Sequence, residues 1–232
     1  MESHPAGPAI LVRINPDPTQ RDLDLQVAAH AVVQGIVIPK SNTAKDVIEV
    51  TTHLDRLENQ KGIPNGRIKL FPLIETARGV MELTAIATSS TRVAGLVFGA
   101  EDWCLDMGIV RTKSGREIEY ARCSISVAAH AFRLEAIDTV FADFTDAQGL
   151  QHDAEEARRL GFTGKLAIHP KQVEGIHAAF KPNASEIAEA EAIVRAFEKA
   201  EASGLGAISL DGRMIDRPIA ARARKILQDA GK

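Results

Sequence analysis

Cysteine is scarce in this chain: there are two in 232 residues, Cys104 and Cys123, with no CxxC spacing. That excludes a disulfide framework and a thiolate zinc cage, and it makes a reducing cytoplasm the expected compartment. Long apolar runs are missing too. No stretch approaches the roughly 18 apolar residues that a membrane span needs, and the start, MESHPAGPAI, lacks the basic region and apolar run of a secretory leader. Net charge is also low, with 28 Lys and Arg against 31 Asp and Glu leaving −3. No global field draws nucleic acid or an anionic membrane to such a chain, so an anionic ligand must meet local arginines and lysines. No internal repeat or low-complexity segment interrupts the sequence.

What is present is a globular composition, 45% hydrophobic and 25% charged, long enough to bury a sizeable core. Short apolar runs recur at Ile10 to Ile14, Gly35 to Ile38, Ile68 to Ile74, Val93 to Phe98, Asp138 to Ala142 and Lys165 to Ile168. They are continuous rather than alternating, as in strands buried on both faces. Amphipathic segments lie between them. One carries Val47, Val50, Leu54 and Leu57 behind Thr43, which has Asp46 three residues on as a capping box. Another runs from Ile118 to Arg133 with Ile118, Ala121, Ile125, Ala128 and Phe132 on one stripe.

Strand alternating with helix predicts a parallel sheet with right-handed crossovers, either doubly wound or curled as a β/α barrel. The barrel is favoured because Arg13, Lys40, Glu75, Asp102, Asp143 and His169 each fall at or just past a strand's carboxyl end, the face that carries β/α-barrel sites. Beyond the sixth strand the pattern changes to a long helix, roughly Ala184 to Ser203. A hairpin follows at Asp211-Gly212, then a last helix from Pro218 to Ala230 that Asp216 is placed to cap. The expected division is a barrel unit over 1–182 and a helical extension and hairpin–helix lid over 183–232.

Two carboxylates end consecutive strands, Glu75 in LIETARG and Asp102 in FGAED. Hard oxygen ligands that leave positions to water and substrate suit Mg²⁺ or Mn²⁺ better than zinc. The alternative is that each pairs with an arginine or caps the next helix. Lys40, after Pro39 at a strand end, is a candidate for a phosphate of a bound ligand, or simply a solvated lysine.

The ordered motifs VRIN, GIVIPK, FPLIETARG, LVFGAEDW, YARCSISVAAHA, AIDTVFADF, GKLAIHPKQV and LDGRMID resemble the HpcH/HpaI aldolase superfamily. The resemblance is to its citrate lyase beta subunit-like and malyl-CoA lyase-like branch, and runs from about Ile10 to the carboxyl end. It implies a TIM barrel, Glu75 and Asp102 as magnesium ligands, and Arg13 against the substrate oxygen that becomes an enolate. It also implies that the backbone amides of Gly99, Ala100 and Glu101 cradle a 2-oxo acid carboxylate. Asp216 matches a position that reaches a neighbouring subunit's site as the base, in competition with its capping role. The activity implied is cleavage of a 3-hydroxyacyl-CoA of the malyl-CoA, citramalyl-CoA or citryl-CoA type. The products are acetyl-CoA or a related thioester and a 2-oxo acid, and the implied assembly is a homo-oligomer, a trimer or a multiple of it. Charge develops on oxygen in that transition state, and a metal with a guanidinium stabilises it.

The sequence departs from its relatives in one respect. They carry strands of the RSVLFVPG and DAVILDLEDAV type ahead of the strand matching LVRIN, and this sequence has neither. An N-terminally incomplete barrel of six visible strands is therefore expected, with open edges that favour association or weaken activity. Two competing functions remain: an aldolase on free 2-oxo acids, against which the LDGRMID tail argues, and a catalytically silent truncated paralogue or partner subunit.

Overall fold

The computed structural model describes residues 7–231; residues 1–6, part of the opening stretch considered above for a targeting signal, lie outside them. Two compact units are present, one ending at Ile176 and the other starting at His177. In the first, the elements follow in the order β1 (Leu11–Arg13), α1 (Pro18–Ala28), β2 (Gly35–Ile38), α2 (Ala44–Lys61), β3 (Lys69–Ile74), α3 (Ala77–Met81), α4 (Leu83–Thr88) and β4 (Gly95–Phe98). They continue as α5 (Ala100–Met107), α6 (Glu119–Ala131), β5 (Glu135–Asp138), α7 (Ala147–Arg159), β6 (Gly164–Lys165) and α8 (Lys171–Phe180), whose length spans the division between the units.

All six strands form one parallel sheet in chain order, β1 to β6. The register places Val12 beside Ile36, Ile36 beside Leu70, Ile74 beside Phe98 and Leu96 beside Ala136. A doubly wound sheet reverses its strand order at a switch point. An uninterrupted order is that of a β/α barrel wound in one direction, so the first unit is a partial TIM barrel. Its core strands are apolar without alternation because helices cover one face and the barrel interior the other: Gly95–Phe98 is buried at every position.

The capping box predicted at Thr43 is present, with the Asp46 carboxylate receiving the Thr43 amide at 2.8 Å. Val47, Val50 and Leu54 are fully buried along α2. The stripe on α6 also faces inward at Ala121 and Ile125, whereas Phe132 sits at the helix end, 37% exposed. Two strand assignments shift. The fifth strand is Glu135–Asp138 rather than Asp138 to Ala142, and the sixth is Gly164–Lys165 rather than Lys165 to Ile168. After Asp138 the chain leaves the ladder because its carbonyls are taken by side chains: the Thr139 carbonyl receives Lys165 Nζ and the Val140 carbonyl receives Arg111. Ile168, outside the sheet, is half exposed.

The second unit contains the rest of α8, then α9 (Ala184–Ala202), β7 (Ala207–Leu210), β8 (Arg213–Asp216) and α10 (Arg217–Asp229). The hairpin turn has Asp211 at φ 50° and Gly212 at φ 79°, both left-handed as a type I′ turn requires. Phe197, Ala190, Ile215 and Ala220 form its core. The Asp216 carboxylate accepts the Ile219 amide at 3.2 Å and caps α10, as its position before Arg217-Pro218 predicts.

On the amino-end side of the barrel sheet, Arg92 is buried and its guanidinium reaches Glu58, Asp55 and Asn65, with the Glu58 pair at 2.5 Å. Burial by itself raises the Glu58 carboxyl. The Arg92 hydrogen bond and the Ile68 and Gly66 amides outweigh it and hold the group below its ordinary 4.5. A carboxylate depressed in this way contributes stability that is complete above about pH 4.5 and fades as pH falls through the lowered folded value. Glu58→Gln leaves Arg92 short of a buried counter-charge and is expected to destabilise the protein by about 3 kcal/mol at pH 7. In urea unfolding, the gap from the wild type should narrow steadily below pH 4.5.

Candidate active site

The barrel strands bring their polar ends to one cavity of about 310 Å³, lined by Arg13, Asn15, Asp24, Lys40, Glu75 and Asp102 among others. Each arrives for a local reason. Glu75 directly follows β3, and its buried carboxylate is steadied by the Lys40 amide, which donates to Oε1 at 2.7 Å. Lys40 adopts φ 49° just beyond β2, a left-handed conformation that turns its amide toward Glu75. Its ammonium lies 3.9 Å from Asp102 Oδ1. Asp102 sits in the first turn of α5, where a carboxylate is favoured by the helix dipole.

Glycine at 99 is dictated by this arrangement. A Cβ there would lie 2.8 Å from Glu75 Oε2 and 2.9 Å from Glu75 Cβ, closer than side-chain carbons approach. The helix carrying Asp102 therefore starts where only a hydrogen fits, and the two carboxylates share one rim. Burial pushes the Glu75 carboxyl up, and the Asp102 charge adds to the rise. The Lys40 amide, the Lys40 ammonium and the Arg13 guanidinium act in the other direction. Two carboxylates held close enough to repel, with hard oxygen donors facing a cavity, fit a divalent cation such as Mg²⁺ whose remaining positions go to water or substrate. No cluster of three or more His, Cys, Asp or Glu able to hold a metal occurs among the described residues, so such a cation would find no third ligand of those types beside these two.

Arg13, Lys40, Glu75 and Asp102 thus converge as the sequence predicts. The amide cradle is narrower than predicted. The Gly99 amide donates to the Ile74 carbonyl at 2.9 Å and the Ala100 amide to Thr139 Oγ1 at 3.0 Å, so two of the three amides are already engaged. Glu101 turns its carboxylate to Arg111 at 2.5 Å. Asp216 belongs to the second unit, where it caps α10. His169 is held by its surroundings: its Nδ1 accepts the Lys171 amide at 3.2 Å, and its ring stacks on Phe144 at 5.0 Å. Trp103 packs edge-on against Phe98, and Arg122 pairs with Asp138, both structural roles.

Sequence reading missed Asn15 and Asp24. Asp24 lies on α1 with no motif around it, and it reaches the cavity because its carboxylate accepts the Asn15 amide at 2.8 Å, folding the turn after β1 over the rim. Its one signal is the NPDP turn that launches α1, where Asp17 caps the helix by accepting the Thr19 and Gln20 amides.

A parallel barrel sheet with paired carboxylates at its carboxyl ends defines a β/α-barrel site suited to a divalent cation and an oxyanion-bearing substrate. The family profile described as HpcH/HpaI aldolase/citrate lyase matches residues 3–170, and the chain belongs to that family. It is 36% identical over 221 residues to the citrate lyase subunit beta of Haemophilus influenzae, covering 95% of this chain and 76% of that protein. It is 31% identical to the mitochondrial citramalyl-CoA lyase of Rattus norvegicus, covering 90% of this chain and 64% of that one. Among solved structures, the protein CitE from Mycobacterium tuberculosis, in complex with magnesium, acetoacetate and coenzyme A, superposes with a TM-score of 0.79 at 30% identity. That match covers 96% of this chain and 78% of the other.

Gly99→Ala is expected to destabilise the protein by about 1–3 kcal/mol, as overpacking does when the neighbour is a held side chain. Chemical denaturation of the variant beside the wild type measures it, and an unchanged midpoint would mean that Glu75 yields freely.

Proposed function

We propose that this protein is a magnesium-dependent carbon–carbon lyase acting on 3-hydroxyacyl-CoA thioesters of the malyl-CoA, citramalyl-CoA or citryl-CoA type. Its products are acetyl-CoA or a related acyl-CoA and a 2-oxo acid. The observation that carries the reading is the convergence of Glu75, Asp102, Arg13 and Lys40 on one cavity at the carboxyl ends of the strands. The names of its relatives point the same way, as do the magnesium and coenzyme A of the CitE complex.

In this reading Glu75 and Asp102 hold the cation, Mg²⁺ or Mn²⁺, which when bound supplies a Lewis acid for the substrate's oxygens. Arg13 places a fixed positive charge where the thioester enolate forms, and needs no reorganisation to do so. Lys40 neutralises the carboxylate side of the site and binds the substrate's anionic end. The first turn of α5, at Gly99, Ala100 and Glu101, faces the 2-oxo acid carboxylate with its dipole and its remaining donor capacity. The proton at the acetyl carbon is carried by Asp216 from a neighbouring subunit of a homo-oligomer, a trimer or a multiple of it. No helix among the described residues is long and apolar enough to cross a membrane.

Mn²⁺ titration should find one site in the wild type that weakens at least tenfold in Glu75→Gln and in Asp102→Asn, with cleavage of malyl-CoA or citramalyl-CoA lost in parallel. Equal Mn²⁺ affinity in all three proteins sinks the assignment. Asp216 can be tested without disturbing its capping role, because asparagine caps a helix about as well as aspartate but takes no proton. Asp216→Asn should keep its thermal midpoint and Mn²⁺ affinity while kcat for cleavage falls by about 10²–10⁴, the usual contribution of a positioned acid–base group, here one that returns a proton to the enolate carbon. A variant that retains full kcat would leave Asp216 as a cap alone.

A further inference from the structure

Helix α5 carries Asp102 and yet lacks a side-chain cap of its own. Its N-cap is Gly99, which donates no side chain, and no larger residue fits because Glu75 fills the space where a Cβ would go. A helix start with its first amides buried needs an acceptor from somewhere. Here it comes from the next strand: the hydroxyl of Thr139, just past β5, accepts the Ala100 amide at 3.0 Å, and both residues are essentially sealed from solvent.

Thr139 is itself fixed from behind. Its carbonyl receives Lys165 Nζ at 2.7 Å, and that ammonium also reaches Asp138 at 2.7 Å and Asp153 at 2.6 Å. Arg122 grips both Asp138 oxygens, at 3.0 and 2.7 Å. Two cations and two carboxylates, all buried except the partly exposed Asp153, thus form a charge-balanced group that holds the end of β5 in one position. The hydrogen bond to Ala100 passes that position on to the first turn of α5.

We infer that Thr139 is a positioning residue: it caps α5 in place of the excluded side chain at position 99 and sets where Asp102 meets Glu75 at the rim of the cavity. The inference rests on Asp102 being a metal ligand. Outer groups that orient a ligand typically change metal affinity by about 10–100-fold when removed. Thr139→Val keeps the shape and removes the acceptor, leaving the Ala100 amide buried without a partner. Thr139→Ser restores the acceptor.

The test uses the full chain in four forms: wild type, Thr139→Val, Thr139→Ser, and Thr139→Ala as a second acceptor-free variant in case valine does not fold. Mn²⁺ affinity, coenzyme A affinity, the thermal unfolding midpoint and amide hydrogen exchange across 99–107 are measured on each. The expected result is an Mn²⁺ Kd raised by roughly tenfold or more in the valine and alanine forms, near-wild-type affinity in the serine form, and unchanged coenzyme A affinity. Exchange at the Ala100 amide should be faster in both acceptor-free forms, with or without metal. A Thr139 that merely stabilises the fold would lower the unfolding midpoint without separating the two affinities and without rescue by serine, and that outcome overturns the inference. Wild-type exchange at Ala100 in the acceptor-free forms overturns it as well. If the wild type binds no Mn²⁺, the metal site falls and takes the positioning of a ligand with it, while faster exchange would still mark Thr139 as the cap.

Discussion

The site is governed by a close approach between the turn after β4 and the side chain that follows β3. Gly99 runs so near Glu75 that a single carbon does not fit between them. From this contact follow the glycine at the head of α5, the absence of a local cap, and the recruitment of Thr139 from the neighbouring strand. The same contact brings the Asp102 charge to bear on Glu75, whose carboxyl burial has already raised. Such a pair is electrostatically uncomfortable in isolation. Lys40 and Arg13 relieve part of the repulsion, and a divalent cation placed between hard oxygens would relieve more.

Two largely buried ionic groups bracket the barrel sheet, and they act in different places. On the amino-end side, Arg92 ties Glu58 of α2, Asp55 and the loop at Asn65 to the start of β4. Groups on that face of a β/α barrel commonly serve stability. Near the carboxyl ends, Arg122, Asp138, Lys165 and Asp153 join α6, β5, β6 and α7, and connect through Thr139 to the first turn that bears Asp102. A buried charge with a missing partner is strongly unfavourable, so each group admits one arrangement and transmits it. That rigidity suits the proposed site, where carboxylates carried by the end of β3 and by the first turn of α5 line one cavity.

At Asp216 the observed capping role leaves room for the proposed proton transfer. Its carboxylate caps α10, which accounts for its place before Arg217-Pro218 without any catalytic role. Capping uses one oxygen, and a proton carrier needs the other. The observed cap and the proposed proton transfer are therefore compatible in chemistry and separable by asparagine, which keeps only the first.

Much of the architecture could be read from residue order. Continuous apolar runs marked six strands, Thr43 with Asp46 marked the start of α2, and Asp211-Gly212 marked the hairpin, because each depends on neighbours within a few residues. The carboxylates of LIETARG and FGAED also stood out, since a strand's end is local information and the carboxyl face is where barrels place their chemistry. The choice of a barrel over a doubly wound sheet rested on those polar residues rather than on periodicity, and the uninterrupted strand order settled it. Other features lay beyond the sequence. That β5 stops at Asp138 depends on the Thr139 and Val140 carbonyls being taken by side chains 26 and 29 residues away. That the amides of Gly99 and Ala100 are engaged depends on Ile74 and Thr139. Asp24 enters the cavity only because α1 folds back over the end of β1. Short-range propensity is written along the chain, whereas hydrogen bonds between distant segments exist only once the sheet has set the strands side by side.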